Sequence, residues 1–163
     1  MTREEQHARA ELSALAATPA GRELLQLALR GIQESGRGLT YGCWVKRDGG
    51  VSGCLFQHAY WQGVSEGRFT LTEGTVNSAL KQQVGGEDFA LVMSSIRAFD
   101  RLGKRRFRRW QRGRFGLPVR RLDEQLWRST IEHLLIDTLA ETPGEAGVVA
   151  RLAPTPPALD TRS

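Results

Sequence analysis

The sequence predicts a mainly α protein of the α+β kind, with about five helices packed around a small β-hairpin and a disordered C-terminal tail. Three observations predict it. Apolar residues recur at three- and four-residue steps over most of the first 140 positions, the period of a helix that buries one face. One stretch, from Leu39 to Val45, alternates instead with period two. Beyond Thr142-Pro143-Gly144 all periodicity stops, and Ala153-Pro154-Thr155-Pro156-Pro157 has the composition of a chain that cannot bury a core. The expected organisation is an N-terminal helix over 1–17, one globular helical domain over 18–140 with the hairpin near 39–56, and a flexible Pro-containing tail over 141–163.

Thr2 and Glu5 form a capping box, each side chain serving a backbone N–H that the helix start leaves unpaired. The helix they open runs from Arg3 to about Ala16 on a thin stripe of Ala8, Leu12 and Leu15, available for docking or for pairing with a second copy. Thr18 then caps a second helix with Pro19 at its first position, where the missing N–H costs nothing. Leu24, Leu25, Leu27, Leu29 and Ile32 carry it to about Glu34, and Ser35-Gly36 ends it.

Leu39, Tyr41, Cys43 and Val45 then alternate as a strand, and Asp48-Gly49 suits a two-residue hairpin turn. The return strand, from Val51, passes into a helix that reaches about Gln62. Arg68 to Leu71 reads as a further short strand, and Thr72 or Thr75 as the start of a helix to about Gln83. Gly85-Gly86 breaks it. Phe89, Val92, Met93, Ile96 and Phe99 mark a helix from about Glu87. Gly103 is either its C-terminal cap or an interior residue, since Phe107 and Trp110 continue the stripe. Gly113 to Arg120 reads as a loop. Asp123 caps the last helix, Glu124 to Ala140, with Leu122 and Trp127 as a hydrophobic staple and Leu126, Ile131, Leu134, Leu135 and Leu139 turned inward.

Composition narrows the function classes. The 163 residues are 40% apolar and 25% charged, the balance of an ordinary soluble domain. No apolar run approaches the ~18 residues of a membrane span. Met1-Thr2-Arg3-Glu4-Glu5 leads into no apolar leader core, so the cytoplasm is the expected compartment.

The charge is concentrated. Residues 1–95 carry a net −1 and residues 122–163 a net −4, whereas residues 96–121 hold 11 Lys/Arg against one Asp/Glu, a net +10. Within that block Lys104, Arg105, Arg106, Arg108, Arg109, Arg112 and Arg114 interleave with Phe107 and Trp110. Guanidinium groups match phosphate with a fixed fork of donors, and aromatic rings between them suit unpaired bases. This pattern points to a non-enzymatic nucleic-acid-binding or regulatory protein that contacts phosphates through residues 97–121, with DNA and RNA both open. Two other readings stand beside it. The basic face could meet an acidic protein partner, as in an adaptor or inhibitor. It could also be a solvated face whose arginines pair with Asp123, Glu124, Glu132, Asp137, Glu87 and Asp88, which implies no partner.

A second cluster consists of Cys43, Cys54 and His58. In a hairpin turning at Asp48-Gly49 the two cysteines face each other, near bridging range, and His58 lies one helical turn beyond Cys54. Core cysteines, a reversible redox pair and a metal or thiol sensor all fit these residues. The ten-residue spacing matches no common zinc module, so no cofactor is expected and a metal is the alternative. His58 with the basic block also leaves open a small nuclease. His7, His133 and the pairs Glu4/Glu5 and Glu87/Asp88 read as solvated or capping groups.

Overall fold

The structure, a computed structural model, describes residues 1–41, 52–70, 76–111 and 119–143, with side chains over 1–41, 52–70, 76–105 and 124–143. Six helices are present among them: α1 (Arg3–Ala16), α2 (Pro19–Glu34), α3 (Leu55–Ser65), α4 (Val76–Val84), α5 (Gly86–Gln111) and α6 (Val119–Glu141). Two short strands, β1 (Gly38–Leu39) and β2 (Ser52–Gly53), complete the set. The mainly α expectation holds. The tail beyond Pro143, the Asp48-Gly49 turn, Cys43, and Thr72 and Thr75 lie outside the described residues.

The capping signals act as the sequence implies. Thr2 Oγ1 accepts from the Glu5 N–H at 3.2 Å while the Thr2 N–H donates to Glu5 Oε2 at 2.7 Å. Thr18 Oγ1 accepts from the Gly21 N–H at 3.1 Å, with Pro19 at the first position of α2. The stripe on α1 is fully used: Ala8, Leu12, Leu15 and Ala16 are buried in a core shared with α2, α5 and α6. The first helix is therefore part of the body of the protein.

That core is one cluster. Leu24, Leu25, Ile32, Phe56, Leu80, Leu102, Ile131 and Leu135 are among its most buried members. The broadest contacts are α2 on α3 and α1 on α5, with α6 laid across α1 and α2. Two arginines tie helix ends across these seams. Arg22 donates to the carbonyls of Leu139 and Thr142 at the end of α6, and Arg128 donates to those of Ile32 and Arg37 at the end of α2. Each supplies donors to carbonyls that a helix terminus leaves without intrahelical partners.

Four expectations need correction. The two strands pair in parallel, Gly38 with Ser52 and Leu39 with Gly53, so no antiparallel hairpin joins them among the described residues. Twelve residues separate the strands, about the length a parallel crossover needs. The placement of Cys43 opposite Cys54 in a hairpin register therefore has no counterpart in the described strands. Arg68 to Thr70 form no strand. Gly67 bends the chain at φ +71°, the Arg68 and Phe69 N–H groups donate to the Gly63 carbonyl at 2.8 and 3.0 Å, and the Phe69 ring stacks on Tyr60.

At Gly103, where the sequence allowed either a cap or an interior residue, α5 passes through to Gln111. A side chain there would clash with the Tyr41 ring, and the glycine is what lets Tyr41 lie against α5. The remaining two corrections concern α6. Helix α6 begins at Val119, which places Asp123 inside it rather than at its cap and shortens the predicted loop. Leu126 is 38% exposed, and the buried seam of α6 runs instead through Trp127, Ile131, Leu135 and Thr138.

Candidate nucleic-acid interface

Helix α5 sets the geometry of the basic block. Its inner face, Val92, Ser95, Ile96, Ala98, Phe99 and Leu102, is buried against the core. Burial of one face fixes the rotation of the helix, so Arg97, Arg101, Lys104 and Arg105 must emerge on the other side, and all four are exposed. Positions 97, 101, 104 and 105 are steps of four, seven and eight residues, the spacing of a single helical face. Arg97 and Lys104 are ~10.5 Å apart along the axis at the standard rise.

The partners of these cations decide between a solvated face and a free one. Arg105 forms an ion pair with Glu4 of α1, and the other carboxylate oxygen of Glu4 is buried with no hydrogen-bond partner. No carboxylate lies within 4.0 Å of Arg97, Arg101 or Lys104 among the described residues. Of the acids expected to neutralise the block, Glu87, Asp88, Glu124, Glu132 and Asp137 form no ion pair there, and Asp123 lies outside the described side chains. The ion pairs of the described residues sit elsewhere: Arg9 with Glu141, Arg30 with Glu66, and Arg68 with both Glu23 and Glu66.

The structure thus brings Lys104 and Arg105 together with Arg97 and Arg101. The last two belong to the basic block, but the run of adjacent arginines drew attention away from their helical spacing. Arg106, Phe107, Arg108, Arg109 and Trp110 continue α5 as backbone, and their side chains lie outside the described residues, as do Arg112 and Arg114 entirely.

The second cluster is a buried cysteine and a buried histidine one turn apart on α3. Cys54 N-caps α3, is buried, lines a cleft with Tyr41, Phe99 and Trp127, and is disulfide-bonded. The chain has one other cysteine, Cys43, outside the described residues. Thiol titration of the unfolded protein is therefore expected to find no free thiol before reductant and two per chain after it. Two thiols before reductant would refute the bond.

His58 is fully buried where α2, β1 and α3 converge. Its Nε2 lies 3.0 Å from the Gly38 carbonyl, and its Nδ1 lies 3.2 Å from the Gly31 carbonyl and 3.4 Å from Ser35 Oγ. Trp61 meets the ring edge-on, and the Arg37 guanidinium covers Trp61 at 4.1 Å. Burial holds the imidazole pKa below its ordinary 6.5, the two carbonyls pull it back up, and the Arg128 and Arg37 charges lower it further. A histidine enclosed in this way has no path to a substrate. Among the described residues no group of three His, Cys, Asp or Glu could hold a metal ion.

The exposed acids and bases of α2 and α3 form a closed network. Arg30 grips Glu66 with two hydrogen bonds at 2.9 and 3.0 Å, and Gln62 donates to Glu66 at 3.0 Å and to Glu34 at 3.3 Å. The Arg30 bond above all holds the Glu66 carboxyl down to about 2. No described helix is long and apolar enough to cross a membrane. Comparison of the chain with protein-family models, with curated proteins and with solved structures returns no match.

Proposed function

We propose that this chain is a non-enzymatic protein that binds nucleic acid through phosphate contacts made by the outer face of α5. The observation that carries the reading is the set of three exposed cations, Arg97, Arg101 and Lys104, aligned on one helical face and joined to no carboxylate in an ion pair among the described residues, although Asp100 shares that stretch of helix. Like charges held together on a rigid helix raise the energy of the free protein, and a polyanion relieves that cost by giving up its own counterions. The Arg-rich stretch from Arg105 to Arg114 extends the same charge along the sequence. An acidic protein partner would also be attracted, but it offers neither the regular charge spacing nor the counterion release of a phosphate backbone.

The test is binding of a labelled 20-base-pair duplex, followed by fluorescence anisotropy across a salt series. Contact with ~5 phosphates gives a slope of log affinity against log salt of roughly −4 to −5. Replacing Arg97, Arg101 and Lys104 together by alanine is expected to flatten that slope by about 1 per residue. These positions are exposed, so the fold should survive. An unchanged slope in the triple variant, or no binding by the wild type at 50 mM salt, would overturn the proposal.

A further inference from the structure

We infer that the outer face of α6 is a docking surface for one helix of another protein, an amphipathic helix whose apolar seam is flanked by Lys or Arg. Leu126, Ser129, His133, Ile136 and Ala140 follow one another at steps of three and four, and all five are exposed. That is the a/d spacing of a helix that packs lengthwise on a second helix. The protein's own core does not use it: the buried seam of α6, through Trp127, Ile131, Leu135 and Thr138, lies on the opposite side. The outer stripe runs ~21 Å along the axis at the standard rise. Leu126 and Ile136 are two of the three large apolar side chains exposed among the described residues. Between them, His133 Nδ1 lies 2.7 Å from the Ser129 carbonyl. A polar layer inside an apolar seam costs stability but fixes the register of the helix that packs on it.

The charges beside the stripe decide which helix fits. Glu132 lies one turn beyond Arg128, which reaches the carbonyls at the end of α2. Asp137 lies one turn before Glu141, which pairs with Arg9 of α1. The two acids therefore flank the stripe on its two sides, and neither forms an ion pair among the described residues. A helix with Lys or Arg at its own flanking positions meets opposite charge on both sides, the arrangement that sets partner choice between paired helices. A second copy of α6 is disfavoured in either direction. Antiparallel, with Leu126 against the copy's Ile136, the two Glu132 side chains meet near the two-fold axis. Parallel, Glu132 meets the copy's Asp137. Both pairings set acid against acid, which is unfavourable. Phosphate is repelled for the same reason, so this surface is independent of the one on α5.

The test uses the full-length protein and two labelled 21-residue peptides, each with Leu at a and d, one with Lys and the other with Glu at e and g. Binding is followed by fluorescence anisotropy. At 0.1 M salt the Lys peptide is expected to bind at least tenfold tighter than the Glu peptide, and the ratio should shrink at 0.5 M as salt screens the flanking pairs. Leu126→Ala with Ile136→Ala should weaken the Lys peptide at least tenfold at unchanged Tm, since both positions are exposed. Glu132→Lys with Asp137→Lys should reverse the preference, a readout that binding elsewhere on the protein does not move. A preference unchanged by that charge reversal, or binding of neither peptide at 100 µM, would overturn the inference. So would a wild-type dimer in sedimentation that Leu126→Ala with Ile136→Ala returns to monomer, because a second copy would then occupy the stripe. Duplex binding is read separately, so the nucleic-acid proposal stands or falls on its own test.

Discussion

Replacing Gly31 by alanine is expected to destabilise the protein by about 2–3 kcal/mol, a cost in the range of core overpacking. The reason is the approach of α2 to α3, the broadest helix contact in the fold. A Cβ at position 31 would stand 2.5 Å from the carbonyl oxygen of His58 and 3.0 Å from its carbonyl carbon, both main-chain atoms that cannot rotate away. The two helices would have to separate, and the contacts of Ile32, Phe56 and Ala59 in the surrounding core would loosen with them. In a chain of this size the loss should lower Tm by roughly 4–12 °C. Gly86→Ala is the matching control, since nothing lies within 4 Å of a Cβ there, and it should leave Tm unchanged or slightly raised. A Gly31→Ala protein that melts within 1 °C of wild type would show that α2 and α3 do not meet this closely.

Gly31 also shows why some of this fold was legible and some was not. Local rules identified α1 and α2 almost to the residue, because Thr2, Glu5, Thr18 and Pro19 act on backbone groups within one turn of themselves. A glycine inside a helix carries no comparable local message. At Gly103 the choice between a cap and a packing site depended on Tyr41, more than sixty residues earlier, so the sequence left both open. The parallel pairing of β1 with β2 was hidden for the same reason: two residues per strand give no periodicity, and their partnership is imposed by where α2 ends and α3 begins. Asp123 misled in the opposite direction. It has the chemistry of a cap, but the helix had already begun at Val119.

The candidate site divides along the same line. Charge is additive over a segment, so the +10 block was visible from composition alone. Which of its cations share a face depends on helical phase, and phase becomes certain only once the buried side of α5 is known. Val92, Ile96, Phe99 and Leu102 supply that phase, and it brings Arg97 and Arg101 into register with Lys104. The ion pair of Arg105 with Glu4 could not be foreseen, because it depends on how α1 lies along α5. It also changes the standing of the block: one of its arginines helps to hold the fold, while Arg97, Arg101 and Lys104 form no ion pair among the described residues.

His58→Leu is expected to cost about 1–3 kcal/mol at pH 7.5, and the gap to wild type is expected to close on acidification. In the neutral ring one nitrogen donates, Nε2–H to the Gly38 carbonyl or Nδ1–H to the Gly31 carbonyl according to the tautomer. Leucine fills the volume but leaves that carbonyl without its donor inside the protein, the usual penalty for an unmade buried bond. The pH arm follows from the lowered pKa of the folded state. Above 6.5 both folded and unfolded chains hold a neutral imidazole, and His58 contributes no proton linkage. Below 6.5 the unfolded chain takes up a proton that the folded one refuses, so wild-type stability falls as pH drops from 6.5 toward the folded value. The leucine variant has no such group and escapes that loss. Glu66 titrates further down, between its ordinary 4.5 and about 2, and is common to both proteins. Urea unfolding of both at pH 7.5 and at pH 5 would therefore show a smaller difference at the lower pH. A difference that widens instead would mean that the carbonyls of Gly31 and Gly38, each within reach of one ring nitrogen, hold the imidazolium more strongly than burial and the Arg37 and Arg128 charges oppose it.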